Sequence, residues 1–147
     1  MKKLSLSNTH EALNAKMVDY AGFYMPVQYE GVIAEHLSVR NNVGVFDVSH
    51  MGEIFISGVQ AKDFLQFITS NDIDKLINGK VQYSCLPNLD CGIVDDILVY
   101  MINENLFMLV VNASNIEKDL AWLNKHNSYD CKINNRSDDY SLLAVQK

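Results

Sequence analysis

The sequence has 147 residues, 48% of them hydrophobic, and a formal net charge of −6. This length suits one domain or part of a larger protein, and the apolar fraction is sufficient for a buried core. The acidic balance argues against a nucleic-acid-binding surface, and no stretch reaches the roughly 18 apolar residues that a membrane-spanning helix needs.

The first third of the chain predicts two helices on either side of an irregular segment. The first helix is expected over residues 8–15, with Asn8 or Thr9 as its N-cap. Residues 17–29 are rich in aromatic side chains and have no clean period, so we predict a short strand followed by a loop. The second helix is expected over residues 31–41.

The middle of the chain predicts a strand, a helix and then a hairpin. Residues 53–57 form the predicted strand, and the apolar residues of 61–68 recur at helical spacing. Residues 82–86 are expected to be extended and are followed by a turn. A tight reversal then joins the predicted strands 93–102 and 106–111.

The last third predicts one helix and two strands. Ser114 and Glu117 match a capping box at the start of the helix. Three apolar residues then share one helical face: Ile116, Leu120 and Leu123. Strands are expected at residues 130–134 and 141–145, and the second of them reaches almost to the end of the sequence, which indicates a truncated chain. No linker is visible, so we expect residues 1–147 to form one compact unit or two small subdomains.

The order of these elements predicts the fold class. Helices, strands and hairpins are mixed along the chain, which favours an α+β fold over a parallel α/β one. We therefore expect a mixed, largely antiparallel sheet with packed helices.

The strand over residues 93–100 holds the most unusual polar residues. Alternate side chains of a strand point to opposite faces, so Asp96 shares a face with Tyr100, and Asp95 lies on the other. Both faces are otherwise mostly apolar, and an unpaired buried carboxylate is costly. The residues alone leave two interpretations open. In the first, one Asp caps a turn or pairs with a base such as Arg40. In the second, a carboxylate beside a tyrosine accepts a proton or anchors a flat heterocycle.

Other polar residues carry weaker signals. Ser49 and His50 are adjacent, which does not indicate a catalytic triad, and a binding loop with a structural His50 is the better interpretation. The four histidines lack the spacing of metal ligands, so no metal site is expected. The three cysteines lack it too, and we expect free thiols in a reducing cytoplasm. Tyr83 and Asn112 lie on predicted strands near the Asp96 hairpin.

Ordered sequence blocks extend over nearly the full length of the chain. They are Ala15–Asp19, Met25–Tyr29, Phe46–Glu53, Gly92–Asp96, Val110–Ala113 and Glu117–Asp119. With these blocks the chain resembles the T-protein family of the glycine cleavage system, the aminomethyltransferases. The resemblance implies the N-terminal part of the folate-binding aminomethyltransferase fold.

The resemblance also implies a reaction. A family member takes an aminomethyl group from the dihydrolipoyl arm of the lipoylated H-protein and passes its carbon to tetrahydrofolate, giving methylenetetrahydrofolate and ammonia. Tetrahydrofolate is then the co-substrate and the H-protein the partner, with no role for nucleic acid or membrane. By the resemblance, Asp96 is the catalytic acid, which contacts the folate nitrogens and accepts a proton. Four residues match positions that line or border the folate pocket: Tyr83, Asn112, Met51 and Tyr100.

The chain departs from the family pattern in three ways. Phe23 stands where family members usually have Trp, and Cys91 where they usually have the first of two glycines. The third departure is length, because family members have further folate contacts in a part that is absent here. We therefore expect residues 1–147 alone to be inactive and to bind folate weakly or not at all. Two alternatives stay open: a non-catalytic folate-binding module of the same superfamily, and a related folate-dependent demethylase.

Overall fold

The computed structural model describes residues 1–147 and shows an α+β chain made of two compact units. The first unit comprises residues 1–50 and 141–147, and the second comprises residues 51–140. Most strand pairs are antiparallel, and helices lie between groups of consecutive strands, so the predicted α+β fold class is confirmed. None of the helices is long and apolar enough to span a membrane.

The first unit contains five strands and two helices. They are β1 (Lys2–Lys3), α1 (Ser7–Ala12), β2 (Lys16–Tyr20), β3 (Phe23–Gln28), α2 (Val32–Asn41), β4 (Gly44–Asp47) and β10 (Leu143–Gln146). One sheet has the strand order β1–β3–β2, and β4 pairs with β10 in a second sheet. The helix predicted over residues 31–41 is confirmed as α2, although none of its residues is buried.

The segment over residues 17–29 differs from the prediction. β2 and β3 pair antiparallel, so the segment is a hairpin rather than a strand and a loop. Ala21 and Gly22 form its turn with φ values of 51° and 84°, the positive range that two-residue hairpin turns require. α1 ends before the predicted residue 15, and Asn14 just beyond it has a left-handed φ of 58°. The predicted side-chain N-cap of α1 is wrong, because no side chain bonds to its first turn.

The second unit is built on a five-stranded antiparallel sheet. Its elements are β5 (Gly52–Ser57), α3 (Ala61–Ile68), β6 (Val81–Pro87), β7 (Ile93–Asn103), β8 (Leu106–Val111), α4 (Ile116–His126) and β9 (Lys132–Asn135). The strand order is β6–β7–β8–β5–β9. Three short 3-10 turns complete the unit: Ile73–Lys75, Ala113–Asn115 and Ser137–Asp139.

The core of the second unit lies between one face of this sheet and the helices α3 and α4. Ile97 and Val99 of β7 contribute to it from the sheet, and Phe64 and Leu123 from the helices. Each is almost fully buried and stabilises the unit by roughly 1.5–3 kcal/mol through removal of apolar surface from water. Because side chains alternate along a strand, Asp96 of β7 points away from this core.

The start of α4 differs from the prediction. The helix begins at Ile116, after the 3-10 turn, and no side chain caps it, so the predicted capping box of Ser114 and Glu117 is wrong. Asn115 occupies the N-cap position, and its side-chain amide donates to the Asp95 carboxylate instead of serving the helix. The polar side chain at the start of α4 therefore bonds to the sheet and does not cap the helix.

Candidate functional site

Asp96 is exposed on β7, and two neutral hydrogen-bond donors hold its carboxylate. The Tyr83 hydroxyl on β6 donates to Oδ2 at 3.0 Å, and the Asn112 side-chain amide donates to Oδ1 at 3.2 Å. The antiparallel register places Asp96 opposite Cys85, so Tyr83 reaches it from two residues along β6. The structure thus brings together three of the residues that the sequence predicted for the site. Neutral donors leave the carboxylate with its charge and with lone pairs that can accept from a ligand.

Tyr83 remains a donor over a wide pH range. The hydrogen bond to Asp96, and then the charge of that carboxylate, raise the pKa of the Tyr83 hydroxyl above its ordinary value. The side chain is 60% exposed, so it lies at the surface beside Asp96. No ion pair joins Asp95 or Asp96 to a lysine or arginine side chain, which removes the interpretation that one of them pairs with a base.

Asp95 is in a different environment from its neighbour in the sequence. It faces the core, is only 4% exposed, and accepts three hydrogen bonds from amide groups. The donors are the backbone N–H of Asn112 at 3.2 Å, the Asn112 side-chain amide at 2.9 Å and the Asn115 side-chain amide at 2.6 Å. Burial alone raises the pKa of Asp95, but hydrogen bonds from Asp119, Asn112 and Asn115 outweigh it and hold the pKa below its ordinary value. Asp95 therefore caps the turn that follows β8.

The positions of Tyr100 and Met51 follow from the strands that carry or precede them. Tyr100 is half-buried on the same face of β7, four residues along the strand, which corresponds to about 13 Å. Met51 precedes Gly52, which pairs with Val111 of β8. Because Asn112 follows Val111, Met51 and Asn112 lie at the same end of this strand pair.

The turn that leads into β7 is closed by an asparagine side chain. The Asn88 carbonyl Oδ1 accepts from the backbone N–H of Asp90 at 3.0 Å and of Gly92 at 2.7 Å. Cys91 between them has a φ of 60°, a left-handed conformation in which a side chain is strained. The turn keeps its geometry with Cys91 in place of a glycine, at the cost of that strain.

The sequence analysis missed Asp119 on α4. Its side chain is fully buried, at 0% exposure, and its carboxyl group contacts that of Asp95. Asp119 lies three residues after Ile116 and four before Leu123, so helical spacing alone places it on the apolar face of α4. An acid at such a position is the signal that could have identified it.

His50, in the first unit, is a packed side chain. Its ring makes edge contacts with Tyr20 and Phe23, and its Nδ1 is buried without a hydrogen-bond partner. Burial lowers its pKa, against the opposing charge of Asp47. These contacts fit a neutral structural histidine better than a catalytic one. No group of three or more His, Cys, Asp or Glu side chains in residues 1–147 is arranged to hold a metal ion.

Residues 6–146 match the GCVT N-terminal domain family, so the chain belongs to this family. It is similar to the aminomethyltransferase of Flavobacterium psychrophilum, with 60% identity over 146 residues that cover 99% of this chain and 41% of that protein. It is also similar to the aminomethyltransferase of Bacteroides fragilis, with 53% identity and coverage of 99% and 40%.

The fold has a close counterpart among solved structures. The crystal structure of glycine cleavage system aminomethyltransferase T from Bartonella henselae superposes with a TM-score of 0.91 at 39% identity. The match covers 99% of this chain and 40% of that one. The chain therefore spans 40–41% of the length of these three relatives, and the predicted family is confirmed.

Proposed function

We propose that this chain carries the catalytic acid and part of the folate pocket of a tetrahydrofolate-dependent aminomethyltransferase. The proposed reaction transfers a one-carbon unit from the aminomethyl-dihydrolipoyl arm of the H-protein to tetrahydrofolate and releases ammonia. The strongest support is the Asp96 carboxylate, which is exposed yet oriented by Tyr83 and Asn112. Membership of the GCVT N-terminal domain family, and relatives that bear the name aminomethyltransferase, support the same reaction class.

The residues along this face of β7 suit a flat heterocyclic ligand. Tyr83 pairs with Leu98, and Tyr100 lies two residues further on the same side, so aromatic and aliphatic groups line a strip that begins at Asp96. Ligand sites combine such apolar surface with a few polar groups that fix orientation. A ligand that contacts both Asp96 and Tyr100 has to extend over about 13 Å along the strand. Met51 and Asn112 then border the polar end.

Asp96 has the properties of a proton acceptor in this site. Tetrahydrofolate supplies the nitrogen atoms that receive the carbon. The hydrogen bonds from Tyr83 and Asn112 fix both oxygens of Asp96 without neutralising the charge, so a free lone pair can accept an N–H group and take up its proton. Their role is to orient the carboxylate before the ligand arrives, which reduces the entropy cost of reaching the reactive geometry.

The proposed partner and compartment follow from the same reaction. The donor carbon arrives on the lipoyl arm of the H-protein, so the H-protein is the proposed partner. The three cysteines are free, which fits the reducing cytoplasm that we propose as the location. We propose no metal, because Asp96 with its two donors can carry out the proton transfer.

A chimeric enzyme tests the assignment of Asp96. In it, this chain replaces the matched segment of the Flavobacterium psychrophilum aminomethyltransferase. We expect the chimera to form methylenetetrahydrofolate from aminomethylated H-protein, and Asp96→Asn to lower kcat by about 100-fold or more. Tyr83→Phe should cost less, about tenfold, because Asn112 still orients the carboxylate. Asp90→Asn is the matched control, since Asp90 is an exposed acid in the preceding turn.

Two outcomes would contradict the proposal. Near-normal turnover of the Asp96→Asn chimera, with its circular dichroism unchanged, would remove Asp96 from the catalytic role. A folded wild-type chimera that binds tetrahydrofolate in calorimetry but transfers no carbon would favour the non-catalytic folate-binding module. A chimera that used a methylated donor instead of the H-protein would favour the demethylase.

A further inference from the structure

Asp119 is a buried acid that the proposed reaction does not use. Its side chain is completely removed from solvent, and no N–H or O–H donor reaches either carboxyl oxygen. An ionised carboxylate in such a place has lost its water without gaining a partner, which is costly. A protonated carboxyl group avoids this cost and can itself donate one hydrogen bond.

The group that faces Asp119 is the carboxylate of Asp95. Asp95 already accepts hydrogen bonds from the amides of Asn112 and Asn115, so it is the ionised member of the pair. Two carboxyl groups in contact have to share a proton. The proton belongs on Asp119, because no other group donates a hydrogen bond to Asp119. Burial, then the hydrogen bond and charge of Asp95, raise the pKa of Asp119 to about 8.

The surrounding charges do not change this assignment. The charged groups that act on Asp119 are Asp95 from β7 and Lys118 from α4 itself. Lys118 favours ionisation of Asp119, but its ammonium group donates to the backbone carbonyl of Val94 at 2.6 Å and makes no bond to the acid. No cation bonds to Asp119 in place of a proton, so burial and the neighbouring Asp95 carboxylate keep Asp119 protonated.

Asn112 connects this buried pair to the surface. Its side-chain amide nitrogen donates to Asp95 Oδ1 at 2.9 Å and lies 3.2 Å from both the Oδ1 and the backbone oxygen of Asp96. Resting on the proposed function above, we propose that Asp119, as a neutral acid, and Asp95, as its ionised partner, are positioning residues that fix Asn112 and through it the Asp96 carboxylate. If Asp119 lost its proton, two buried carboxylates would repel each other, and Asp95 would release Asn112.

Two variants separate the proton of Asp119 from its size. Asp119→Asn keeps a neutral donor that can bond to Asp95, whereas Asp119→Ala removes the donor. Glu117→Gln is the control, because Glu117 is exposed on the same helix. In this chain, we expect Asp119→Ala to shift the side-chain amide resonances of Asn112, and Asp119→Asn and Glu117→Gln to leave them in place. Equal shifts in both Asp119 variants, or no shift in Asp119→Ala, would overturn the proposal.

A direct measurement covers the case in which Asp119→Ala does not fold. The NMR chemical shift of the Asp119 carboxyl carbon in the unchanged chain should change with a midpoint near pH 8, because the pKa of Asp119 is raised to about 8. A carboxyl resonance typical of the ionised form at pH 6 would overturn the proposal without any substitution.

The same variants in the chimera test the link to catalysis. Asp119→Ala should lower kcat by about tenfold and Asp119→Asn by no more than about threefold, because only the first leaves Asp95 without its donor. The rate should fall as pH rises past 8 in the unchanged chimera and should not do so in Asp119→Asn, a difference that a purely structural role does not produce. A flat alkaline profile in both would overturn the positioning role. An inactive chimera with the expected Asn112 shifts would overturn the proposed function and support the positioning.

Discussion

Replacing Asp119 by Asn should change how the stability of this chain depends on pH. The folded chain keeps a proton on Asp119 up to a pKa of about 8, whereas the group in the unfolded chain has the ordinary value of 3.8. Between these two values the unfolded state binds fewer protons than the folded state. The free energy of unfolding therefore falls as pH rises through this window, and the contribution of Asp119 is complete only below pH 3.8.

The size of the effect follows from the same pKa values. They differ by about 4 pH units, and each unit corresponds to about 1.36 kcal/mol, so the upper limit is about 6 kcal/mol. Relaxation of the site and entry of water at high pH reduce this value, and we expect a loss of about 2–4 kcal/mol between pH 4.5 and pH 8. Asp95, whose pKa is lowered, contributes stability that is already complete above its unfolded pKa of 3.8, so this contribution stays constant between pH 4.5 and pH 8 and leaves the trend to Asp119.

Urea unfolding at a series of pH values gives the comparison. Subtracting the curve of Asp119→Asn from that of the unchanged chain removes the groups that the two share and isolates Asp119. The difference should decline with rising pH and level off above pH 8. Glu117→Gln should follow the unchanged chain throughout, because Glu117 is exposed. Parallel curves for the unchanged chain and Asp119→Asn would refute a buried proton at this position.

Two further predictions concern backbone conformation. Gly58→Ala should lower the free energy of unfolding by about 2–4 kcal/mol, because φ is +139° and the new Cβ would lie 2.6 Å from the backbone oxygen of Asp130. Gly79→Ala should cost only about 1 kcal/mol, since its φ of +76° is strained but no atom lies within 4 Å of the new Cβ, and equal losses in urea unfolding would contradict the steric explanation. Cys91→Gly should be more stable than Cys91→Ala by about 1 kcal/mol, because Cys91 has a φ of 60°. Thermal unfolding checks the pair, and a less stable Cys91→Gly would contradict it.

Periodicity predicted the elements that have a regular pattern and a clear core face. The hairpin of β7 and β8 and the helix α3 are examples, because alternation and helical spacing reflect the side on which each residue is buried. Periodicity failed over residues 17–29, where the β2–β3 hairpin has few buried side chains to create alternation. Its turn residues, Ala21 and Gly22, are also less specific than the Asn-Gly pair that usually marks such a turn.

The candidate site was only partly accessible to sequence reasoning. Strand alternation separated Asp95 from Asp96 correctly, and the family resemblance drew attention to Tyr83 and Asn112, whose roles stay predictions. Sequence reasoning did not identify Asp119, the buried acid that contacts Asp95. It considered only the apolar residues of α4, and Asp119 lies among them on the same helical face. The predicted capping box of α4 was wrong because Asn115, at the N-cap position, donates to Asp95 of the sheet and does not cap the helix.

Asn112 shows why the buried and exposed acids have to be considered together. Its amide nitrogen has two hydrogens, and it donates to the Asp95 carboxylate and to Asp96, where the carboxylate and the backbone oxygen lie at the same distance. A serine would have one hydrogen and could not donate to both carboxylates at once, and an aspartate would place a third negative charge between the two. An amide at this position can donate to two adjacent acids of one strand that lie in different environments, one buried and one at the surface. The fixed geometry of Asp96 thus depends on a proton held on the opposite side of the sheet, at Asp119.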